Sequence, residues 1–244
     1  MRKKQKTTYL LIAGIVLALI VVGVLLIPKP TDNDNNNSDA SKTECKELTY
    51  HGKTYETTKI GDTCWMAEDL VATKYRDETD IPWVVDNKDW NTDKEGARGC
   101  YNNKKESCKE GVLYNWHAVD NKAKLCPKGW HVPTDEEWTD MEVAVCNQLG
   151  NQNCQEEFSN EKGMNWRGTN EGDELKSGSF GGILFGFRNS AGPFSKKEES
   201  GFWWTATESN DFAIGRSLSK ENDKIRRIES SKNSGFLVRC VESK

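Results

Sequence analysis

Histidine is scarce in this chain. There are three in 244 residues, and His51, His117 and His131 stand far apart. No two of the eight cysteines are spaced as Cys-x-x-Cys. Together these absences leave a zinc site with few ligands to draw on. Positive charge is also in deficit, with 34 Lys and Arg against 38 Asp and Glu. Setting aside Arg2, Lys3, Lys4, Lys6 and Lys29 leaves 29 cations against the 38 acids, a net charge of −9. Such a surface argues against nucleic acid and anionic lipid as partners, and it keeps a domain soluble. No internal repeat is evident.

A long run without charge occurs at Thr8 to Ile27, "TYLLIAGIVLALIVVGVLLI". At about 1.5 Å per helical residue its length matches a hydrocarbon core of roughly 30 Å. Residues 1–7 carry the cations and the following "PKPTDNDNNNSDASKTE" carries several acids, so the positive-inside bias predicts a cytoplasmic stub. The run is longer than a signal-peptide core, lacks a small-x-small cleavage site and ends in no lipid-accepting cysteine, which favours an uncleaved signal anchor at 8–27. Residues 28–44, rich in Asn, Asp and Ser, are expected to form a disordered linker. The ectodomain, 45–244, is long enough for one domain with a real core. In a cell with two membranes, such an anchor favours the inner one, with this domain extracytoplasmic.

All eight cysteines then lie where disulfides persist. Eight cysteines allow 105 connectivities, and local context narrows them. "CKELTYHGKTYETTKIGDTCWMAEDL" reads as a meander of three strands turning at "HGK" and "GD", with Cys45 and Cys64 near its two ends. Cys100 and Cys108 bracket one polar loop, and Cys146 and Cys154 another. Each of the short bridges would contribute about 2.6 kcal/mol in the chain-entropy model. Cys126 and Cys240 remain, and joining them closes a loop worth about 5 kcal/mol on the same model.

The segment "CPKGWHVPTDEEWTDM", Cys126 to Met141, holds a helix start. Thr134 followed by Glu137 is a capping box. Asp135 and Glu136 place negative charge at the positive end of the dipole. Trp138, Met141 and Val145 recur on one face. A shorter helix is expected in "GVLYNWHAVDNKAK", with Leu113, Trp116 and Val119 on one side. Beyond residue 160 the sequence is glycine-punctuated, and "GFWWTATES", "FAIGRSLS", "DKIRRIES" and "GFLVRCVE" read as four strands. Strands, two helices, then strands describe an α+β domain whose chain ends share a mixed, mostly antiparallel sheet.

The motifs "YHGKTYETTKIGDTCWMAEDL", "GCYNNKKESCKEGVLYNWHAV", "CPKGWHVPTDEEW", "GFWWTATES" and "SGFLVRCVE", in that order from Thr49 to Glu242, resemble the Fibrobacter succinogenes major paralogous domain. The resemblance implies a bacterial, extracytoplasmic, often anchored protein with a C-type-lectin-like fold, distantly related to formylglycine-generating enzymes. It also supports the Cys126–Cys240 bridge, because lectin-like domains staple their first helix region to their last strand. Cys45 with Cys64 and Cys146 with Cys154 depart from the family pattern. No catalytic residue comes with the resemblance.

The chemistry of related folds finds little footing. Calcium-dependent lectins use a Glu-Pro-Asn or Gln-Pro-Asp triplet, and none of the six prolines here sits in one. Formylglycine-generating enzymes need two cysteines a few residues apart, a pair missing between the helix and the last strand. Asp135, Glu136 and Glu137 have no evident His or Ser partner and are explained by capping. No cofactor, metal or catalysis is therefore expected. Of the nine tryptophans, Trp65, Trp130, Trp138 and Trp204 fall in the shared motifs as core candidates. Trp83, Trp90 and Trp166 lie in loop-like stretches with Asn and Asp nearby, suited to stacking on sugars or anchoring a protein interface. Burial beneath long loops is the alternative for each. The expected ligand surface spans the loops at 81–98 and 160–200, and its partner is a polysaccharide or an envelope protein. An enzyme-like relative with an unfamiliar site is the second reading.

Overall fold

The computed structural model describes residues 45–244. The stub at 1–7, the anchor at 8–27 and the linker at 28–44 lie outside them. Among the described residues, no helix is long and apolar enough to cross a membrane.

The first segment forms four short strands where three were expected: β1 (Leu48–Tyr50), β2 (Lys53–Tyr55), β3 (Thr57–Ile60) and β4 (Thr63–Met66). β1 pairs only with β2, while β3 and β4 enter a second sheet. The break falls at Glu56, whose amide donates to the Glu68 carboxylate at 3.2 Å instead of to a neighbouring strand. His51 and Gly52 make the first turn with φ of 46° and 77°, and Gly61 the second with φ of 61°.

Next come α1 (Asn87–Thr92), β5 (Arg98–Gly99), β6 (Leu113–Tyr114) and α2 (Trp116–Val119). The helix expected across Leu113, Trp116 and Val119 is thus a strand followed by one helical turn. Asn115 divides them, because its side-chain oxygen caps the turn at Ala118 N (3.1 Å) and also accepts from Ala97 N (2.9 Å). After β7 (Trp130–His131), helix α3 (Asp135–Gln148) opens on the expected Thr134–Glu137 capping box, with both reciprocal bonds made. Three further helices beside α2 and α3, namely α1, α4 (Cys154–Glu157) and α5 (Glu171–Ser177), exceed the two expected, but each is seven residues or shorter.

β8 (Trp166–Arg167), β9 (Phe187–Arg188) and β10 (Phe194–Ser195) precede the long strands β11 (Ser200–Ser209), β12 (Phe212–Ser219) and β13 (Asn222–Ser231). These form an antiparallel sheet in the order β11-β12-β13-β8. The last strand, β14 (Val241–Glu242), is shorter than "GFLVRCVE" suggested. Four of residues 236–240 are nonetheless bonded through the backbone, Phe236 to Tyr114, Leu237 to Phe202 and Trp204, Val238 to Leu70 and Cys240 to Met66. Their partners change from one segment to the next, so no regular ladder develops. β14 sits between β4 and β7, and the chain ends do share a sheet, β3-β4-β14-β7. The result is a mixed α+β domain of antiparallel sheets with few helices.

Four disulfides close at Cα–Cα distances of 5.0 to 6.0 Å: Cys45–Cys64, Cys100–Cys108, Cys126–Cys240 and Cys146–Cys154. Trp65, Trp130, Trp138 and Trp204 are all buried. Trp65, Trp138 and Phe180 meet edge to face with centroids 5.4 to 6.4 Å apart, each pair adding about 1 kcal/mol beyond its buried area.

The core also encloses charge. Arg167, Arg188, Arg216 and Arg239 are fully buried. Arg216 faces Arg227 across β12 and β13, a destabilising juxtaposition unless something neutralises it. Asp135 does so, accepting from Arg216 Nη1 at 2.7 Å and Arg227 Nη2 at 2.6 Å. Burial pushes the Asp135 carboxyl up, but Arg227 and Arg216 outweigh it and hold it below the usual range. Two turns on, Glu142 bonds Arg216 Nε at 2.5 Å with one oxygen and Arg167 with the other. The polar stripe Asp135, Thr139 and Glu142 thereby fastens α3 to the long sheet, beside the apolar stripe on Trp138, Met141 and Val145.

Candidate functional site

The three loop tryptophans have different fates. Trp90 is fully buried, which overturns its candidacy as an exposed contact. It lies in α1, its Nε1 donates to Asn233 O at 2.6 Å, and the Arg188 guanidinium stacks 4.1 Å from its ring centre. One edge and one face are used, so Trp90 is a fastener between residues 87–92 and 233. Trp166, in β8, is half-buried, with Arg226 from β13 at 5.8 Å from its ring.

Trp83 is half-buried on a backbone fixed from several sides. It bridges to Arg98 in β5, Val84 N donates to Arg98 O at 3.1 Å, and Arg98 N donates to Pro82 O at 2.9 Å. The buried Arg188 then clamps the next residues. Its Nη1 donates to Val84 O at 2.5 Å, Nη2 to Val85 O at 2.9 Å, and Nε to Gly192 O at 2.8 Å. Carbonyl dipoles, rather than a carboxylate, receive this cation, and burial pushes its pKa down to about 10. Gly192 (φ 108°) is required at the clamp, because a Cβ there would meet Asn87 at 2.4 to 2.5 Å.

Around the Trp83 ring lie two cations, Arg98 Cζ at 5.5 Å and Lys105 Nζ at 5.7 Å from its centre. Lys105 comes from a 3-10 turn, Lys105–Lys109, inside the loop closed by Cys100–Cys108. Val85 beside them is 53% exposed, one of two large apolar side chains so exposed among the described residues. The Trp83 indole N–H and the Asn103 side-chain oxygen are both buried without a partner. Residues 81–98 and 160–200 contain α1, β5, β8, α5, β9 and β10, so much of the surface expected to be loop is ordered structure.

A second group gathers at the start of α3. His131 Nε2 contacts both Glu137 oxygens at 2.8 and 2.9 Å, and its Nδ1 lies 2.8 Å from Ser243 Oγ. Sequence separation of 112 residues hid the serine. The Glu137 carboxylate is raised by burial, but His131 and Thr134 outweigh this and hold it below the usual range. A depressed pKa suits an anion that receives bonds, not a general acid. Glu137 also lines a cleft of about 350 Å³ with Asp62, Asp140 and Lys244, the largest of four that Ser243 does not line.

A family model, the Fibrobacter succinogenes major domain, matches residues 58–242, well over half of the chain. The chain belongs to that family. No curated protein and no solved structure matches the chain. Within the Fibrobacter succinogenes major domain fall Trp83, Arg98, Lys105, Trp166, His131 and Glu137. The match starts in β3, so Cys45 and the β1-β2 hairpin precede it, while Cys64 falls within it. Ser243 follows its end. Sequence reasoning missed Arg98 and Lys105 as companions of Trp83. The Cys100–Cys108 pairing was the signal that placed Lys105 in a constrained loop, but nothing local gave its direction.

Proposed function

We propose that this protein is a membrane-anchored, extracytoplasmic binding or scaffolding module with a C-type-lectin-like domain and no catalytic role. Residues 8–27 serve as the single-pass anchor, the N-terminus is cytoplasmic, and the domain recognises polysaccharide or an envelope protein. The observation that carries this reading is Trp83, a half-exposed indole on a backbone locked by Arg188 and β5. Rigid aromatic surface of this kind binds at low entropic cost, because little has to be ordered on association. Trp166 beside Arg226 is the second contact.

A glycan array probed with the full chain in detergent micelles tests it. Binding that is lost in Trp83→Ala and retained in Trp83→Phe supports the reading; a glycan signal indifferent to Trp83 and Trp166 alike removes both residues. An enzyme-like relative is the second reading, favoured by the Ser243–His131–Glu137 contacts alone. Hydrolysis of a nitrophenyl ester that disappears in Ser243→Ala would favour it, and no hydrolysis by the parent protein would retire it.

A further inference from the structure

We infer that the Trp83 platform is selective for carboxylated sugars, so that its ligand is a polymer of uronic acids. This rests on the binding-module reading and adds the chemical class of the ligand. The platform offers hydrogen-bond donors that the protein does not use. Arg98 spends Nε on Ile81 O at 3.0 Å, and its terminal nitrogens meet no acceptor among the described residues. No described carboxylate lies within 4.0 Å of Arg98 or Lys105. The acid acting on Arg98 is Asp80, which pairs with Lys74 at 3.6 Å.

Two unpaired cations at one indole are conspicuous in a domain that carries excess acid. Burial lowers the pKa of Arg98, as expected for a guanidinium held partly out of water without a counter-ion. A carboxylate would supply the missing charge and accept from two donors at once. The apolar face of the indole suits the C–H face of a pyranose. A neutral sugar leaves both cations unpaired, and an inorganic anion leaves the ring unused. A uronate satisfies the ring and both cations.

Affinity of the full chain in detergent micelles is measured for polygalacturonate, for its methyl ester and for polyglutamate. The methyl ester keeps the sugar ring and removes the charge; polyglutamate keeps charge and removes the ring. Polygalacturonate is expected to bind about tenfold or more tightly than either. Lys105→Gln, an exposed position, is expected to weaken it about fivefold and to flatten its salt dependence. Trp83→Ala should abolish binding, with an unchanged thermal midpoint showing that the fold persists. Equal binding of the free and esterified polymers, still dependent on Trp83, would overturn the charge selectivity and leave the binding module standing. Polyglutamate binding as tightly as polygalacturonate, or Lys105→Gln without effect, would overturn it too. Loss of every glycan signal would sink the binding reading itself.

Discussion

Replacing Glu142 by Gln tests the buried ion network most directly. The substitution keeps volume and shape, so no cavity forms and the effect is electrostatic. Glu142 is wholly buried and receives Arg216 on one oxygen and Arg167 on the other. Three guanidinium groups, Arg167, Arg216 and Arg227, share two carboxylates, Asp135 and Glu142. With Gln, one carboxylate remains for three cations, and the new amide N–H group points at a guanidinium that can only donate. Removing one partner of a buried pair costs about 3–5 kcal/mol, because the remaining charge stays desolvated. For a domain of this size, about 2–4 °C is lost per kcal/mol, so the midpoint should fall by about 6–20 °C. Thermal unfolding of the oxidised protein, followed by tryptophan fluorescence, reads this out. Glu136→Gln, exposed on the same helix, should stay within about 0.5 kcal/mol. A Glu142→Gln midpoint within about 2 °C of the parent would refute the claim that the network carries the docking of α3.

Acid should destabilise the protein for a related reason. Asp135 and Glu137 have folded pKa values depressed below their unfolded ones. The stability they contribute is present above about pH 4 and is lost as pH falls through the folded values. Midpoints measured from pH 7 to pH 2 should therefore drop at the acid end, and Asp135→Asn should flatten that drop. Cys126→Ala with Cys240→Ala should cost about 5 kcal/mol and the corresponding Cys146 and Cys154 pair about 2.6 kcal/mol; chemical denaturation of each double variant compares them, and non-reducing peptide mapping that found other partners would overturn the pairing. Trp90→Ala should lose about 3–5 kcal/mol of stability, whereas Trp83→Ala should lose under about 1 kcal/mol, a contrast that thermal melts resolve.

The sequence alone determined what depends on near neighbours or on covalent rules. The capping box at Thr134 and Glu137 is one, since both partners lie within a single turn. The cysteine pairing is another, since spacing along the chain suggested three bridges and left Cys126 with Cys240, the one bridge that the family resemblance supports. The α+β order, the sharing of a sheet by the chain ends and the membership in the Fibrobacter succinogenes major domain were legible in the same way. The short helix at Leu113 was misread because its apolar spacing fits a helix, while the Asn115 cap that divides it depends on Ala97 as well.

Only the tertiary structure decided which tryptophans are surface and which are core. Trp90 and Trp83 have similar neighbours in sequence, but Arg188, about a hundred residues away, covers one and merely braces the backbone after the other. The arginine–carboxylate network was equally hidden. Asp135 meets Arg227 across 92 residues and Arg216 across 81. Charged residues in strands read as solvent-facing until the packing of a helix against a sheet brings opposite charges together out of water. Local pattern fixes the conformation of a segment, whereas desolvation and charge pairing are properties of the space between segments.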